Sequence, residues 1–217
     1  MSDIFNEVDE EVRRERLRKL WERYNVLIVG GALLIIVGVG GWRSYEWWQA
    51  KQAAEAGGAF QSAMSLSAEG KHAEAEAAFA QVAGKGVAGY RDLARLQAAA
   101  ELAQRDPKAA GEAYDAIAAD ARINDTMRDL AAVRAGLLLV DTTPYEDLRR
   151  RLEPAAGPDR PFRNSAREML ALSALRANDA SAARKWFDQI VTDVGAPAGL
   201  RQRIEMLMAL AADNGNS

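Results

Sequence analysis

His72 is the one histidine in a chain of 217 residues, and cysteine is absent. A serine triad would have to be built on that imidazole, and no Gly-x-Ser-x-Gly nucleophile motif accompanies it. A zinc site has neither a second histidine nor a thiolate to use, and the carboxylates lack the calcium-loop spacing. Gly84, Gly86 and Gly89 in AGKGVAGYRD superficially suggest a phosphate loop. No Gly-Lys-Ser/Thr follows and no strand precedes, so the segment reads as a turn between repeats. Arg149, Arg150 and Arg151 form a basic run on a predicted helix, which reads as a solvated face. A formal net charge of −3, with bases and acids interleaved, gives no general reason to bind nucleic acid. No enzyme activity, metal, cofactor or small-molecule substrate is expected.

The remaining chemistry is recognition of other proteins. In the repeat register set out below, Leu130, Val133, Leu137, Leu172 and Leu175 point toward the groove lined by the first helix of each pair. Arg134 and Arg167 fall at its rim, where guanidinium groups would supply hydrogen bonds or charge to a partner segment. The same leucines would equally serve to pack one repeat on the next, since a buried leucine is the commoner case. Both readings stay open on the sequence.

The elements that must carry these residues are helical. The composition is 49% hydrophobic and 27% charged, with only six prolines, and alanine dominates long stretches. Such a chain folds, and helix is favoured over sheet by propensity. Self-similarity is visible beyond residue 55. Ala75 is followed four residues later by Phe79, Ala110 by Tyr114, Leu148 by Leu152 and Ala183 by Phe187. The markers Ala75, Ala110, Leu148 and Ala183 stand 35, 38 and 35 residues apart, close to the tetratricopeptide period of about 34. Twelve residues before each marker stands another small residue: Ala63, Ala98, Gly136 and Ala171. A small residue lets one helix approach the next, and a large one a turn later fills the space between them. Asp106, Thr143 and Asp179 precede predicted helices and suit N-cap positions. Leucines replace both markers in the third pair. Pro197 to Ala212 reads as a terminal capping helix with Leu200, Ile204, Leu207 and Met208 inward, and Asp213 to Ser217 as a disordered tail. The fold expected is an all-α solenoid of about four pairs plus a cap, over residues 49–212.

A different solvent is implied before it. Val26 to Trp42, VLIVGGALLIIVGVGGW, is an uncharged run of about 17 residues, at the short end of what crosses hydrocarbon. Trp21 and Tyr24 precede it, and Trp42, Tyr45, Trp47 and Trp48 close it, as rings do at both membrane interfaces. No small-residue cleavage site follows, so a retained anchor over residues 25–48 is expected. Arg13, Arg14, Arg16, Arg18, Lys19 and Arg23 precede the run, and over a similar distance only Arg43 and Lys51 follow. That asymmetry places the N-terminus in the cytoplasm and the repeats across the membrane. Residues 1–24 read as a cytoplasmic amphipathic segment, with Val8, Val12, Leu17, Leu20, Trp21 and Tyr24 in helix-compatible order.

The opening SDIFNEVDEEVRRERLRKLWERY, the single span, the repeats and the late stretch ARKWFDQI together resemble the alphaproteobacterial branch of the bacterial YfgM-like family. The resemblance covers nearly the whole chain. It implies an ancillary subunit of the SecYEG translocon, seated in the inner membrane with its domain in the periplasm. It further implies contact with translocon subunits and with periplasmic chaperones such as a membrane-anchored prolyl isomerase. A scaffold for another envelope complex, such as one coordinating wall synthesis with division, would use the same fold.

Overall fold

The computed structural model describes residues 3–214. Every element among them is helical. Helix α1 runs Asp3–Ala68, α2 His72–Lys85, α3 Ala88–Leu102, α4 Pro107–Ala118 and α5 Asp125–Leu139. Then follow α6 Tyr145–Leu152, a 3-10 turn Glu153–Ala156, α7 Arg163–Arg176, α8 Ala180–Val191 and α9 Ala198–Asn214. The chain divides into two compact units, Met1–Ala54 and Glu55–Ser217.

In the first unit, α1 carries a window of mean hydropathy 2.1 none of which is buried. The helix is long and apolar enough there to cross a membrane. The described side chains from Val26 to Trp48 are all exposed, so this apolar surface finds no protein partner. Lys51 places its ammonium 5.7 Å from the Trp47 ring centroid. The amphipathic reading of residues 1–24 rests mostly on side chains outside the described residues.

The second unit is a succession of helices, each packed on its neighbours in the chain, with α2 on α3, α4 on α5 and α7 on α8 closest and α9 against α8. Counted two by two in chain order, the C-terminal part of α1 with α2, α3 with α4, α5 with α6 and α7 with α8 make four pairs. The expected markers sit in its core: Ala63, Ala75, Phe79, Ala110, Tyr114, Leu148, Leu152, Ala171, Ala183 and Phe187 are all essentially inaccessible. Ala98 is partly buried and packs against the first cluster. Buried clusters bridge consecutive pairs: Ala63, Phe79 and Ala94 form one, Tyr114, Ile117 and Ala135 the next. Leu148, Leu152 and Leu170 form a third, and Ala171, Phe187 and Ile204 a fourth. Stability in such a stack is carried by each pair and its neighbours rather than by one central core.

Glycines mark the closest approaches. A Cβ on Gly136 would lie 2.9 Å from both Leu152 methyls, and one on Gly111 would lie 2.8 Å from a Leu139 methyl. The turns within the first and fourth pairs share one geometry. Gly70 and Asn178 take left-handed φ values of 74° and 60°. The following amides, of Lys71 and Asp179, donate to Leu66 O at 3.0 Å and Ala174 O at 2.9 Å, which closes the helix ends.

Asp106 and Asp179 cap as their sequence positions suggest, accepting from Ala109 N at 2.9 Å and Ala182 N at 2.8 Å. Thr143 does not. The N-cap of α6 is Pro144, with no side-chain cap. Thr143 belongs to the end of α5, its amide donating to Leu139 O at 2.8 Å. The cap of α5 is Asn124, whose Oδ1 accepts from Met127 N at 3.0 Å. At the C-terminus, α9 continues to Asn214, beyond the expected end at Ala212. The remainder of the expected tail, 215–217, lies outside the described residues.

Candidate partner-binding surface

Helix α5 is amphipathic in a broad sense. Its Ala131, Ala132, Ala135, Gly136 and Leu139 face the neighbouring helices. The opposite stripe follows the helical repeat through Leu130, Arg134, Leu137 and, just past the helix, Asp141. On α7, one repeat later, the same stripe runs through Ser165, Glu168, Leu172 and Arg176, with Ala166, Leu170, Ala171 and Ala174 inward.

The residues expected to bind a partner divide between surface and core. Leu137 is 63% exposed and stands mostly clear of its neighbours, whereas Leu172, at 37%, is only partly exposed. Arg134 is exposed on the same stripe, one turn before Leu137. Leu130, Val133 and Leu175 are half-buried and pack against the clusters beneath. They floor the stripe rather than crown it.

Arg167 corrects the expectation of a rim position. It is 6% exposed, and Nε donates to Ala156 O at 2.9 Å while Nη1 donates to Asp193 Oδ2 at 3.1 Å and Gln189 O at 3.3 Å. Its place on α7 turns it into the stack, where it joins the 3-10 turn to the end of α8. Desolvation lowers its guanidinium pKa, and Asp193 opposes that. Asp193 also accepts from Arg163 at 2.5 and 2.9 Å. Those bonds above all, with the Gly195 amide, hold its carboxyl well below the usual range.

Two polar features of the stripe escape a reading by apolar residues. Glu168, one turn before Leu172, accepts from Arg203 of α9 at 2.6 and 3.0 Å. Arg176, one turn after it, donates to Asp141 O at 2.8 Å and to Thr143 O, so its guanidinium closes the α5–α6 turn. The i−4 and i+4 spacing from Leu172 is the sequence signal that both share its face. Burial raises the Tyr114 phenol pKa, with the nearby Arg134 charge opposing it and Glu101 adding to it.

His72 does not sit in a triad. Glu101, 7% exposed, stands between it and Ser67, accepting from Ser67 Oγ at 2.6 Å and meeting His72 Nδ1 at 2.7 Å. The carboxylate occupies the position an imidazole needs if it is to activate the hydroxyl. This trio ties the first pair to the second. A cavity bounded by Lys108, Glu112, Thr142, Asp147, Arg150 and Arg151 lies between α4 and α6. Its arginines are committed, Arg150 to Asp147 and Arg151 to Asp115 at 2.9 Å. Gly86 stands at the C-cap of α2, its amide donating to Val82 O at 2.7 Å, in a turn between repeats.

Comparison with curated proteins and with solved structures gives no match. The family model described as a tetratricopeptide repeat-like domain matches residues 18–210, apolar run and repeats alike, and the chain belongs to that family.

Proposed function

We propose that the chain is a membrane-anchored scaffold with no catalytic activity, which holds a partner protein on the exposed stripe of α5 and α7. The observation that carries this reading is Leu137, at 63% the most exposed leucine among the described residues of the second unit. Stacked repeats offer extended surfaces to partners, and apolar anchors on such a surface are what a partner segment buries.

In this proposal α1 crosses a bilayer. A helix of mean hydropathy 2.1 with nothing packed on it is the kind of surface that lipid covers. The basic residues before it keep the N-terminus cytoplasmic, and the repeats then lie in the periplasm of a bacterial inner membrane. The YfgM-like resemblance makes the partners translocon subunits and a periplasmic chaperone or prolyl isomerase, and the task the handling of secreted chains.

The test is affinity purification of the full chain in mild detergent, followed by mass spectrometry, beside a reporter fused after Ser217. Translocon subunits and a periplasmic reporter are expected. Recovery of wall-synthesis proteins instead would move the scaffold to another envelope complex, and a cytoplasmic reporter would overturn the topology.

A further inference from the structure

The joints between consecutive helix pairs of the second unit are not built alike. The first pair is tied to the second by Glu101 of α3, which accepts from Ser67 at 2.6 Å and meets His72 at 2.7 Å. Arg105, just past α3, adds a bond to Glu76 of α2 at 2.6 Å. The third pair is tied to the fourth at both ends of α5. Arg160 donates to Asp125 at 3.2 Å and to Asp129 at 2.5 Å, and Arg176 to the carbonyls of Asp141 and Thr143. Trp186 of α8 also donates to the Tyr145 hydroxyl of α6 at 3.0 Å.

Between the second and third pairs, the one polar bridge among the described residues is Arg151 of α6 with Asp115 of α4. Nη1 and Oδ2 are 2.9 Å apart, yet Nη1 is buried without a hydrogen bond, so the two charges meet out of line. Burial raises the Asp115 carboxyl pKa, Arg151 opposes that and Glu112 adds to it, whereas Asp193, held by Arg163, has its carboxyl below the usual range. No hydrogen bond or ion pair joins α3 to α5 among the described residues, and Glu101 and Arg95 of α3 turn instead to Ser67, His72 and Asp120. A cavity of about 710 Å³ lies between α4 and α6. What remains is the packing of α4 on α5, through Tyr114, Ile117, Ala131 and Ala135, with Gly111 admitting Leu139. Apolar contact of this kind has no preferred direction, so the helices can rock where aligned hydrogen bonds would hold them.

We infer that the stack flexes at the joint between its second and third pairs, rocking about the α4–α5 contact, with Arg151 and Asp115 as a weak latch beside the cavity. Rocking that closes the cavity draws α3 and α5 apart, and the reverse motion brings them together. The pairs on either side move as blocks, because their own joints are braced by directed bonds. This goes beyond the scaffold reading and is independent of what the scaffold holds.

The chain has no cysteine, so two introduced cysteines report one distance. Spin labels at Glu74 with Ala116, Ala116 with Glu146, and Glu146 with Lys185 bracket the three joints from exposed positions on α2, α4, α6 and α8. Double electron-electron resonance on the full chain in lipid nanodiscs should give the middle label pair a distance distribution about twice as wide as the outer two. Arg151→Gln removes the latch charge and should widen the middle distribution further while leaving the outer two as they are. Three distributions of equal width would overturn the inference, and that comparison needs no variant of the joint. A middle distribution that Arg151→Gln leaves unchanged would overturn it as well.

Discussion

The apolar run of α1 and the outer faces of α5 and α7 both expose leucine, and they do so differently. Around Leu33 and Leu34, the α1 run is apolar on every side, uncharged and bare. On α5 and α7, Leu137 and Leu172 are exposed singly on helices whose other leucines and alanines are covered, with Arg134, Glu168 and Arg176 around them. An all-round apolar surface needs a different solvent, because no one protein face covers it. A small apolar patch with polar neighbours is stable in water and suits a surface that a partner covers part of the time.

The contrast can be broken most strongly in the first region. Ile35→Arg places a charge near the centre of the run and should cost about 3 kcal/mol of membrane insertion. Alkaline extraction should then release a large fraction of a chain that otherwise stays with the membrane. Unchanged retention would mean that lipid is not what covers this helix.

Next come the residues that hold the second region together without help from lipid. Arg167→Ala removes a buried cation from two carbonyls and from Asp193, and should cost about 2–3 kcal/mol in urea unfolding of the full chain in detergent. A loss under about 0.5 kcal/mol would return Arg167 to the surface. Gly136→Val drives two methyls into Leu152, which is fully buried, and should cost about 2 kcal/mol by overpacking.

A smaller effect is expected from pH. Asp193 has its carboxyl pKa depressed in the folded chain, so its contribution is present above the unfolded value of about 3.9 and is lost as pH falls below it. Asp193→Asn should therefore lower stability near neutral pH and flatten its decline under acid. An equally steep acid decline in the variant would show that other carboxylates account for it.

How far the sequence foretold this is clearest in the paired helices. Ala75 with Phe79 and Ala183 with Phe187 announce their contacts, because a small residue and a large one a turn apart have few other uses on an alanine-rich helix. The run from Val26 to Trp42 is equally plain, being apolar on all faces. The sequence puts Arg167 at a rim and the structure turns it inward, since nothing local distinguishes an exposed guanidinium from one that donates to carbonyls of a 3-10 turn and a distant helix end. Thr143 suits a cap by its sequence and does not act as one, because the pattern of Thr before Pro does not reveal that its own amide closes the previous helix. The exposure of Leu137 depends on what packs beside α5, which no window of sequence around it contains.

The most direct test of that exposure is thermal unfolding of the full chain carrying Leu137→Glu and Leu172→Glu together. Leu137 is mostly in water and Leu172 reaches it, so the melting temperature should fall by less than about 3 °C, the scale of 1 kcal/mol in a domain this size. A fall of about 10 °C or more, as buried leucines would give, would contradict the reading of α5 and α7 as a free recognition surface.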